Sequence, residues 1–227
     1  MNSYSGTKHL EVMDDAINYN AYLSNLVTTH ALPGDLILDF GAGIGTFSRA
    51  LKTKGYAVSC VEPDAAQLQR ITAHGITGYQ DLLNAPASAY DYIFTLNVLE
   101  HIENDQGTLS DLAGKLKLGG RLLIYVPAFQ MLFSSMDEAV GHFRRYSLEE
   151  LSNKVKLAGF EIQNACYVDS IGFFAALLYK YIGSDDGSIN KKSIVIFDRF
   201  LFPLSRFIDR MTSKLFGKNL LLVAVRT

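Results

Sequence analysis

The sequence has few cysteines and almost no net charge. Its two cysteines, Cys60 and Cys166, are 106 residues apart, so we expect neither a disulfide scaffold nor a zinc ribbon. The 21 Lys and Arg residues nearly balance the 23 Asp and Glu residues, which disfavours a nucleic-acid partner because such proteins are usually basic. With 48% hydrophobic residues in 227, the chain can form one domain around a packed core.

Long apolar runs are also missing. The charge-free stretch 170–179 has 10 residues, whereas a helix that crosses a bilayer needs about 20. The first 12 residues lack the apolar segment of a signal peptide. We therefore expect a cytoplasmic protein.

Short apolar segments alternate with longer amphipathic ones from residue 36 onward. This pattern predicts βαβ units, and hence an α/β domain with a mostly parallel sheet and helices on both faces. The predicted strands are 36–40, 56–61, 76–79, 90–96, 121–126, 160–168 and 220–225. The predicted helices between them are 46–54, 65–73, 105–116 and the segment from 147 to 159, which a Ser147–Glu150 capping box opens and Gly159 ends.

Two helical additions flank this alternation within the single domain 1–227. Residues 1–33 are predicted to form an N-terminal helical cap, and residues 171–218 a helical insertion that Pro203 should kink or divide. The part of the insertion from 190 to 218 carries +5 while the rest of the chain carries −7. Its apolar residues recur every three or four positions, so the segment could roof a substrate pocket, pack on the domain, or contact a membrane.

A glycine-rich turn follows the first predicted strand. Gly41, Gly43 and Gly45 allow a tight turn and a close approach of the backbone to a ligand. Thr46 stands where a dinucleotide fingerprint needs Gly or Ala, and no P-loop Lys is present. Asp39 lies just before the turn, where its carboxylate would repel a pyrophosphate and suit a cation.

Two further acids follow neighbouring strands. Glu62 ends the second strand, where an acid can accept hydrogen bonds from both hydroxyls of a ribose. Asp81 follows the third strand and could accept from an adenine amine, although loop carboxylates are common at surfaces. Together these residues predict a pocket for a cationic adenine nucleoside.

The ordered motifs LDFGAGIGTFS, VEPD, YQDLL and YDYIFTLNVLEHIEND resemble those of class I S-adenosylmethionine-dependent methyltransferases. The segment GHFRRYSLEEL, with NYNAYL upstream, is further similar to a bacterial branch of small-molecule methyltransferases that act in natural-product or surface-polysaccharide biosynthesis. The resemblance implies a Rossmann-like, doubly wound, seven-stranded sheet. It also implies the cofactor S-adenosyl-L-methionine and the product S-adenosylhomocysteine.

The resemblance also implies roles for individual residues. The methionine part of the cofactor would be held at the first turn, the ribose at the VEPD motif and the adenine at the YQDLL motif. Asn97 would line the methyl side, and Tyr19 would lie on a helix that covers the cofactor. The implied cofactor-binding residues are Asp39, Gly41, Gly43, Gly45, Glu62, Pro63, Asp81, Leu82, Asn97 and Tyr19.

Methyl transfer to a hydroxyl requires a group that removes its proton, a task suited to histidine near neutral pH. His101 follows the fourth strand and His142 lies in a loop expected at the same sheet edge, so both are candidate catalytic residues. His101 could equally cap its loop. Some methyltransferases bind a divalent ion with Glu-x-x-Glu-His here. Here Asn97 replaces the first acid and leaves Glu100, His101 and His142. Three ligands could suffice, but the loss of the acid leads us to expect no metal.

The loop that carries His142 also suggests how a substrate is held. Arg144 is a candidate catalytic group, and Arg145 and Tyr146 are candidate substrate-binding residues, because guanidinium groups bind carboxylates and phosphates in pairs of hydrogen bonds. Either arginine could instead pair with an acid of the same loop. Phe173 and Phe174 would favour an apolar acceptor if the insertion is a lid. The expected partner is a small molecule that is anionic and partly apolar.

The sequence thus predicts a methyltransferase that acts on a hydroxyl or carboxylate oxygen of a small molecule. Two alternatives remain open: a membrane-peripheral enzyme that methylates a lipid-linked sugar through contact by residues 190–218, and a catalytically silent cofactor-binding partner protein. The sequence predicts neither the acceptor nor the oligomeric state.

Overall fold

The computed structural model describes residues 15–183, 187 and 190–227. The first 14 residues of the expected N-terminal cap, and residues 184–186, 188 and 189 of the expected insertion, lie outside this part.

The centre of the fold is a seven-stranded sheet with strand order β3-β2-β1-β4-β5-β7-β6. Strands β1 to β5 pair in parallel, whereas β7 runs antiparallel between β5 and β6. The prediction of a mostly parallel, doubly wound, Rossmann-like sheet is confirmed. The strands are β1 Leu36–Phe40, β2 Ala57–Val61, β3 Thr77–Tyr79, β4 Tyr90–Leu96, β5 Leu116–Pro127, β6 Phe160–Val168 and β7 Asn219–Arg226.

Helices connect the strands and cover both faces of the sheet. Short 3-10 turns at Leu82–Asn84, Leu99–His101 and Gln130–Leu132 complete the loops. The helices of the described residues are α1 Ile17–His30, α2 Thr46–Thr53, α3 Ala65–Thr72, α4 Asp105–Lys115, α5 Ser135–Val140, α6 Leu148–Leu157, α7 Ser170–Ile182, α8 Lys191–Ile196 and α9 Phe202–Thr212, with a π-helical turn Phe197–Leu201 between the last two.

The core has two main layers, one on each face of the sheet. Successive strand side chains point to opposite faces, so Ile37 and Leu38 belong to different layers. Leu109 of α4 packs in the layer of Leu38, and Leu51 of α2 packs in the layer of Ile37. This arrangement fixes β1 rigidly between helices on both sides.

The chain reverses its direction of strand addition between β1 and β4. After β1 it adds β2 and β3 toward one edge, and then returns to add β4 on the other side of β1. In open α/β sheets, ligands bind in the crevice at the carboxyl ends of strands at such a switch point. The fold therefore places the loops after β1, β2 and β4 around one crevice.

The helix α9 packs in the opposite sense to an ordinary amphipathic helix. Its buried residues are Phe202, Ser205 and Asp209, whereas Phe207 and Met211 are 64% and 85% exposed. The interpretation that its apolar stripe packs on the domain is therefore wrong. The polar side docks instead, because Asp209 accepts hydrogen bonds from the backbone of Asp169 and Ser170 at the start of α7.

Several local predictions differ from the structure. Pro203 lies in the first turn of α9, where proline is tolerated, so the change of helix geometry comes before it, in the π-helical turn. Ser147 accepts the backbone N–H of Glu150 as predicted. The reciprocal capping box is found instead at the start of α5, between Ser134 and Asp137.

Candidate active site

A cavity of about 870 Å³ opens at the switch point. Its wall comes from α1, from the loops that follow β1, β2 and β4, and from the start of α3. Among the described residues that line it, three are acidic and none is Lys or Arg. The lining residues used below are Tyr19, Asp39, Gly41, Gly43, Glu62, Pro63, Asp64, Asn97, Val98 and His101.

The glycine turn forms the floor of this cavity. Gly41, Gly43 and Gly45 all have positive φ angles, of 80°, 55° and 77°, a region that side chains other than glycine's rarely adopt. A Cβ on Gly41 would clash with Cγ2 of Val98, so the turn passes directly against the loop after β4. Gly45 does not line the cavity, since its Cα faces Ile71 of α3.

Glu62 joins the first two loops of the cavity. Its carboxylate accepts the backbone N–H of Gly43 at 2.7 Å and that of Asp64 at 2.9 Å. Burial raises the pKa of Glu62, and these two hydrogen bonds oppose the rise. Each oxygen keeps a second acceptor site, so Glu62 can still accept hydrogen bonds from a ligand.

Asp39 lies at the end of β1 and is 2% exposed. Its carboxyl group accepts the hydroxyl of Ser48 on α2 at 2.7 Å. Burial, together with the negative charge of Glu62, raises the pKa of Asp39 to about 7, although the hydrogen bond from Ser48 opposes the rise. The carboxyl group therefore ionises near neutral pH, and a cation beside it would favour the ionised form.

Asn97 and Tyr19 meet on the wall formed by β4 and α1. Asn97 has a positive φ of 54°, an unusual conformation that often occurs at functional sites. Its amide nitrogen lies 3.5 Å from the hydroxyl of Tyr19. The tyrosine ring is held by edge contacts with Tyr125 and Phe202, so α1 covers the crevice with a fixed aromatic side chain.

Asp81 and Leu82 do not line the cavity. The carboxylate of Asp81 is exposed and accepts the backbone N–H of Leu83, which starts the short turn after β3. Leu82 is buried in the core. Their proposed contact with an adenine ring stays a prediction.

His101 and His142 come together at one end of the crevice. Their rings form an edge contact with centroids 4.6 Å apart, and His101 lines the cavity. Burial, together with the neighbouring His142, lowers the pKa of His101 to about 4. The fully buried Glu100 lies beside them, with its Oε1 3.8 Å from Nε2 of His142, and burial raises the pKa of Glu100 to about 8.

Asp137 orients the ring of His142. Its Oδ1 lies 2.7 Å from Nδ1 of His142. Burial raises the pKa of Asp137, but hydrogen bonds from His142 and Arg145 outweigh this and lower it to about 2. Because an ionised carboxylate can only accept hydrogen bonds, Nδ1 of His142 is the donor to Asp137. In the neutral ring, Nε2 then carries the lone pair and points away from Asp137. The sequence analysis did not assign Asp137 to the site, although it lies only five residues before His142 and could be expected near it.

The two arginines of the loop are held by acids of the protein. Arg145 is 3% exposed and pairs with Asp137 through both Nε and Nη2, so the carboxylate expected from a substrate is supplied by the chain itself. Arg144 pairs with Asp105 at 2.8 Å. Tyr146 is fully buried and its hydroxyl donates to Asp105. None of the three side chains lines the cavity. The two arginines therefore no longer support an anionic acceptor.

Phe173 and Phe174 also lie outside the cavity lining. Both rings contact Phe216, and Phe173 makes an edge contact with Phe129 after β5. These contacts attach α7 to the domain. A substrate-binding role for either phenylalanine stays a prediction.

The charge of the cavity discriminates between nucleotide cofactors. Asp39, Glu62 and Asp64 would repel the pyrophosphate of a nicotinamide dinucleotide, and no Lys or Arg among the described lining residues offsets them. The sulfonium cation and ribose hydroxyls of S-adenosylmethionine need acidic acceptors, which these residues supply. The residues present therefore fit that cofactor.

Comparisons with known proteins agree with this geometry. A family model described as a methyltransferase domain matches residues 13–165. A demethylmenaquinone methyltransferase of Tropheryma whipplei is 32% identical over 99 residues, which cover 40% of this chain and 41% of the relative. A ubiquinone biosynthesis O-methyltransferase of Xylella fastidiosa is 30% identical over 115 residues, or 45% of each chain. The chain thus matches less than half the length of these curated relatives.

One solved structure illustrates the similarity of the fold. Geranyl diphosphate C-methyltransferase of Streptomyces coelicolor, in a complex that includes S-adenosylhomocysteine, superposes with a TM-score of 0.63 at 14% identity. The superposition covers 91% of this chain and 78% of that one. At 14% identity, this comparison shows a shared fold and nothing about the substrate.

Proposed function

Because the chain belongs to the methyltransferase-domain family and its cofactor is S-adenosylmethionine, we propose that it transfers the cofactor's methyl group to a small-molecule acceptor, at a hydroxyl or carboxylate oxygen. The observation that carries this proposal is that the described lining of the cavity has three acids and neither Lys nor Arg. Asp39 and Glu62 bind the cofactor, and Asn97 and Tyr19 line the side from which the acceptor approaches. The cofactor supplies a carbon activated by a positive sulfur.

The chain's own residues have two tasks in such a reaction. The walls hold acceptor and methyl group in line and exclude water, and such alignment removes about 7–11 kcal/mol of a barrier in favourable cases. The His101 and His142 pair at the end of the crevice receives the proton of a hydroxyl acceptor. Oxygen as the methylated atom is supported by the name of the Xylella relative, an O-methyltransferase.

A product analysis tests this proposal. The full chain is incubated with S-adenosylmethionine carrying a labelled methyl group and a panel of phenols, sugar hydroxyls, carboxylic acids and amines. We expect label on an oxygen of one class, with release of S-adenosylhomocysteine. Binding of the cofactor with no transfer to any class would favour a silent binding protein, and binding of a nicotinamide dinucleotide instead would refute the proposal.

We propose, as a second function, that the enzyme acts at the surface of an anionic membrane on an amphipathic acceptor such as a lipid-linked sugar. The observation that favours it is the exposed apolar stripe of α9 and the turn before it, formed by Phe200, Leu204, Phe207 and Met211. Docking through the polar side of α9 leaves this stripe exposed, with Arg199 and Arg210 beside the rings of Phe200 and Phe207. No helix of the described residues is long and apolar enough to cross a membrane.

The charge around the stripe favours an anionic partner. Both acids of the segment 190–218, Asp198 and Asp209, are buried, whereas its exposed charged residues are basic: Lys191, Lys192, Arg199, Arg210 and Lys214. Interfacial helices combine these two features, an apolar stripe and flanking cations. Exposed residues of α7, among them Phe174 and Tyr181, extend the apolar surface.

Sedimentation with vesicles tests the membrane proposal. We expect the full chain to bind phosphatidylglycerol vesicles, to bind neutral phosphatidylcholine vesicles far less, and to lose binding in a Phe207→Ser/Met211→Ser variant. Lys156→Ser and Leu157→Ser, on the exposed end of α6, provide a matched control pair. Concentration-dependent dimerisation without any binding to vesicles would show that a second copy covers the stripe instead.

A further inference from the structure

Three side chains that commonly bind metals converge at the end of the crevice. Glu100 and His101 belong to the turn after β4, and His142 reaches them from the loop after α5. One ligand atom of each residue can be chosen so that all three atoms lie within 4.8 Å of one another. The cluster therefore joins two separate segments of the chain at the site proposed for methyl transfer.

The carboxyl group of Glu100 lacks the contacts that a buried acid requires. The residue is 0% exposed, and neither carboxyl oxygen has a hydrogen-bond partner among the described residues. The nitrogen Nε2 of His142, at 3.8 Å, is too distant for a hydrogen bond. Buried polar groups without partners are costly and rare in folded proteins, so both oxygens are available to an occupant of the site.

His142 presents a nitrogen suited to that occupant. Its Nδ1 is fixed by Asp137 at 2.7 Å, and Asp137 is itself held by Arg145. This leaves Nε2 directed toward Glu100. A carboxylate that orients one ring nitrogen while the other binds the metal is a recurrent arrangement at metal sites.

His101 connects the cluster to the cavity. Its ring stands edge-on to His142 with centroids 4.6 Å apart, and the residue lines the cavity beside Asn97 and Val98. Glu100 lies on the buried side of the cluster. An ion bound here would therefore turn its remaining coordination position toward the crevice.

We propose that Glu100, His101 and His142 bind one divalent transition-metal ion, with Zn²⁺ as the ion that this donor set fits best. Two imidazoles and one carboxylate with a fourth position open are the ligands of catalytic zinc sites. Ligand atoms around tetrahedral zinc lie about 3.4 Å apart, so binding requires only a small closure of the three side chains. The loss of one acid at Asn97 favoured the absence of a metal, but the convergence of Glu100, His101 and His142 supplies three ligands at one place.

The role of the ion in methyl transfer rests on the proposed function. In its open position it would bind the acceptor oxygen and lower the pKa of the attached proton, as metal ions do for bound water. The proton would then leave to the solvent, and the two imidazoles would act as ligands of the ion and not as bases. The existence of the site does not depend on this role.

Metal titration of the full chain tests the proposal without any measurement of turnover. The protein is stripped with a chelator, the chelator is removed, and Co²⁺ alone is added as a spectroscopic probe. We expect one Co²⁺ per chain with the visible absorption of a four-coordinate site, displaced by an equivalent of Zn²⁺. Glu100→Gln and His142→Ala should each weaken binding by about tenfold or more, whereas the exposed His74→Ala should match the wild type.

Thermal unfolding separates loss of the ligand from loss of the fold. Because Glu100→Gln removes a buried acid without partners, its Tm in the absence of metal should equal or exceed that of the wild type. Zn²⁺ should raise the Tm of the wild type, and at the same concentration it should raise that of Glu100→Gln less. Absence of saturable Co²⁺ binding, or equal binding by the wild type and both ligand variants, would overturn the proposal. A wild type that binds one Co²⁺ yet methylates no acceptor would contradict the proposed function alone.

Discussion

The carboxylate of Asp198 accepts the backbone N–H of Tyr19 at 2.8 Å and that of Asn18 at 2.9 Å. These residues are about 180 positions apart in sequence. Helix α1 has no side-chain cap of its own, so the insertion supplies it. The surface segment with the exposed apolar stripe is thereby coupled to the helix that covers the crevice.

Removal of this cap should weaken cofactor binding from a distance. Asp198→Ala leaves two amides at the start of α1 without their acceptor and should cost about 1 kcal/mol of stability. If α1 loosens by this amount, the affinity for S-adenosylmethionine should fall about fivefold, as measured by calorimetry. Asp209→Ala removes the corresponding cap of α7, which does not line the cavity, and should lower stability alone. Equal cofactor affinities in both variants would show that α1 and the insertion are not coupled.

The glycine turn should tolerate no side chain at Gly41. Gly41 and Gly119 have similar φ angles of 80° and 76°, so an alanine at either position should cost about 1–2 kcal/mol through the backbone. At Gly41 the new Cβ would also clash with Val98. At Gly119 no described atom lies within 4 Å of the new Cβ. We expect Gly41→Ala to abolish cofactor binding in calorimetry and Gly119→Ala to preserve it. Normal binding by Gly41→Ala would place the cofactor elsewhere.

Asp39 should make cofactor binding depend on pH and on the charge of the sulfur. Burial raises its pKa to about 7, so the carboxyl group is largely neutral at pH 6 and ionised at pH 8. The affinity for the cationic S-adenosylmethionine should therefore rise across this range, while that for S-adenosylhomocysteine should change less. Asp39→Asn should flatten the rise and weaken S-adenosylmethionine binding at pH 8 about tenfold or more, unlike the surface substitution Asp111→Asn.

The same pKa shift predicts the stability of the unliganded protein. A carboxyl group whose pKa is higher in the folded than in the unfolded chain stabilises the fold at low pH, and this contribution is lost as the pH rises through about 7. Asp39→Asn should therefore be more stable than the wild type at pH 8, and the difference should disappear toward pH 4. A variant less stable at both pH values in urea unfolding would contradict the assignment.

The two arginines of the loop should differ sharply in their effect on stability. Arg145 forms a buried pair with Asp137, so Arg145→Met should cost about 3–5 kcal/mol, because it removes the permanent positive charge beside a buried carboxylate. Arg144 is partly exposed, and its partner Asp105 also binds Lys154, so Arg144→Met should cost about 1 kcal/mol or less. Urea unfolding checks both values. A stable Arg145→Met variant with a raised KM for its acceptor would restore the substrate-binding role.

The sequence determined the parts of this protein that follow from local pattern. Period-two apolar segments and amphipathic helices predicted strands such as Tyr90–Leu96 and Phe160–Val168 at their observed bounds, and the parallel order of a doubly wound sheet follows from their alternation. The spacing of Gly41, Gly43 and Glu62 likewise placed a ligand crevice after β1, because residues at the carboxyl ends of adjacent strands must meet.

Tertiary structure alone decided which partners the charged side chains take. The pattern of α9 indicated an apolar face but not which face would dock, and the amides of α1 and α7 attract Asp198 and Asp209 to the buried side. The sequence allowed Arg145 to bind a substrate, but in the structure its guanidinium group pairs with Asp137. The convergence of Glu100 with His142 is of the same kind: contacts between distant segments depend on packing, which residue type and spacing do not encode.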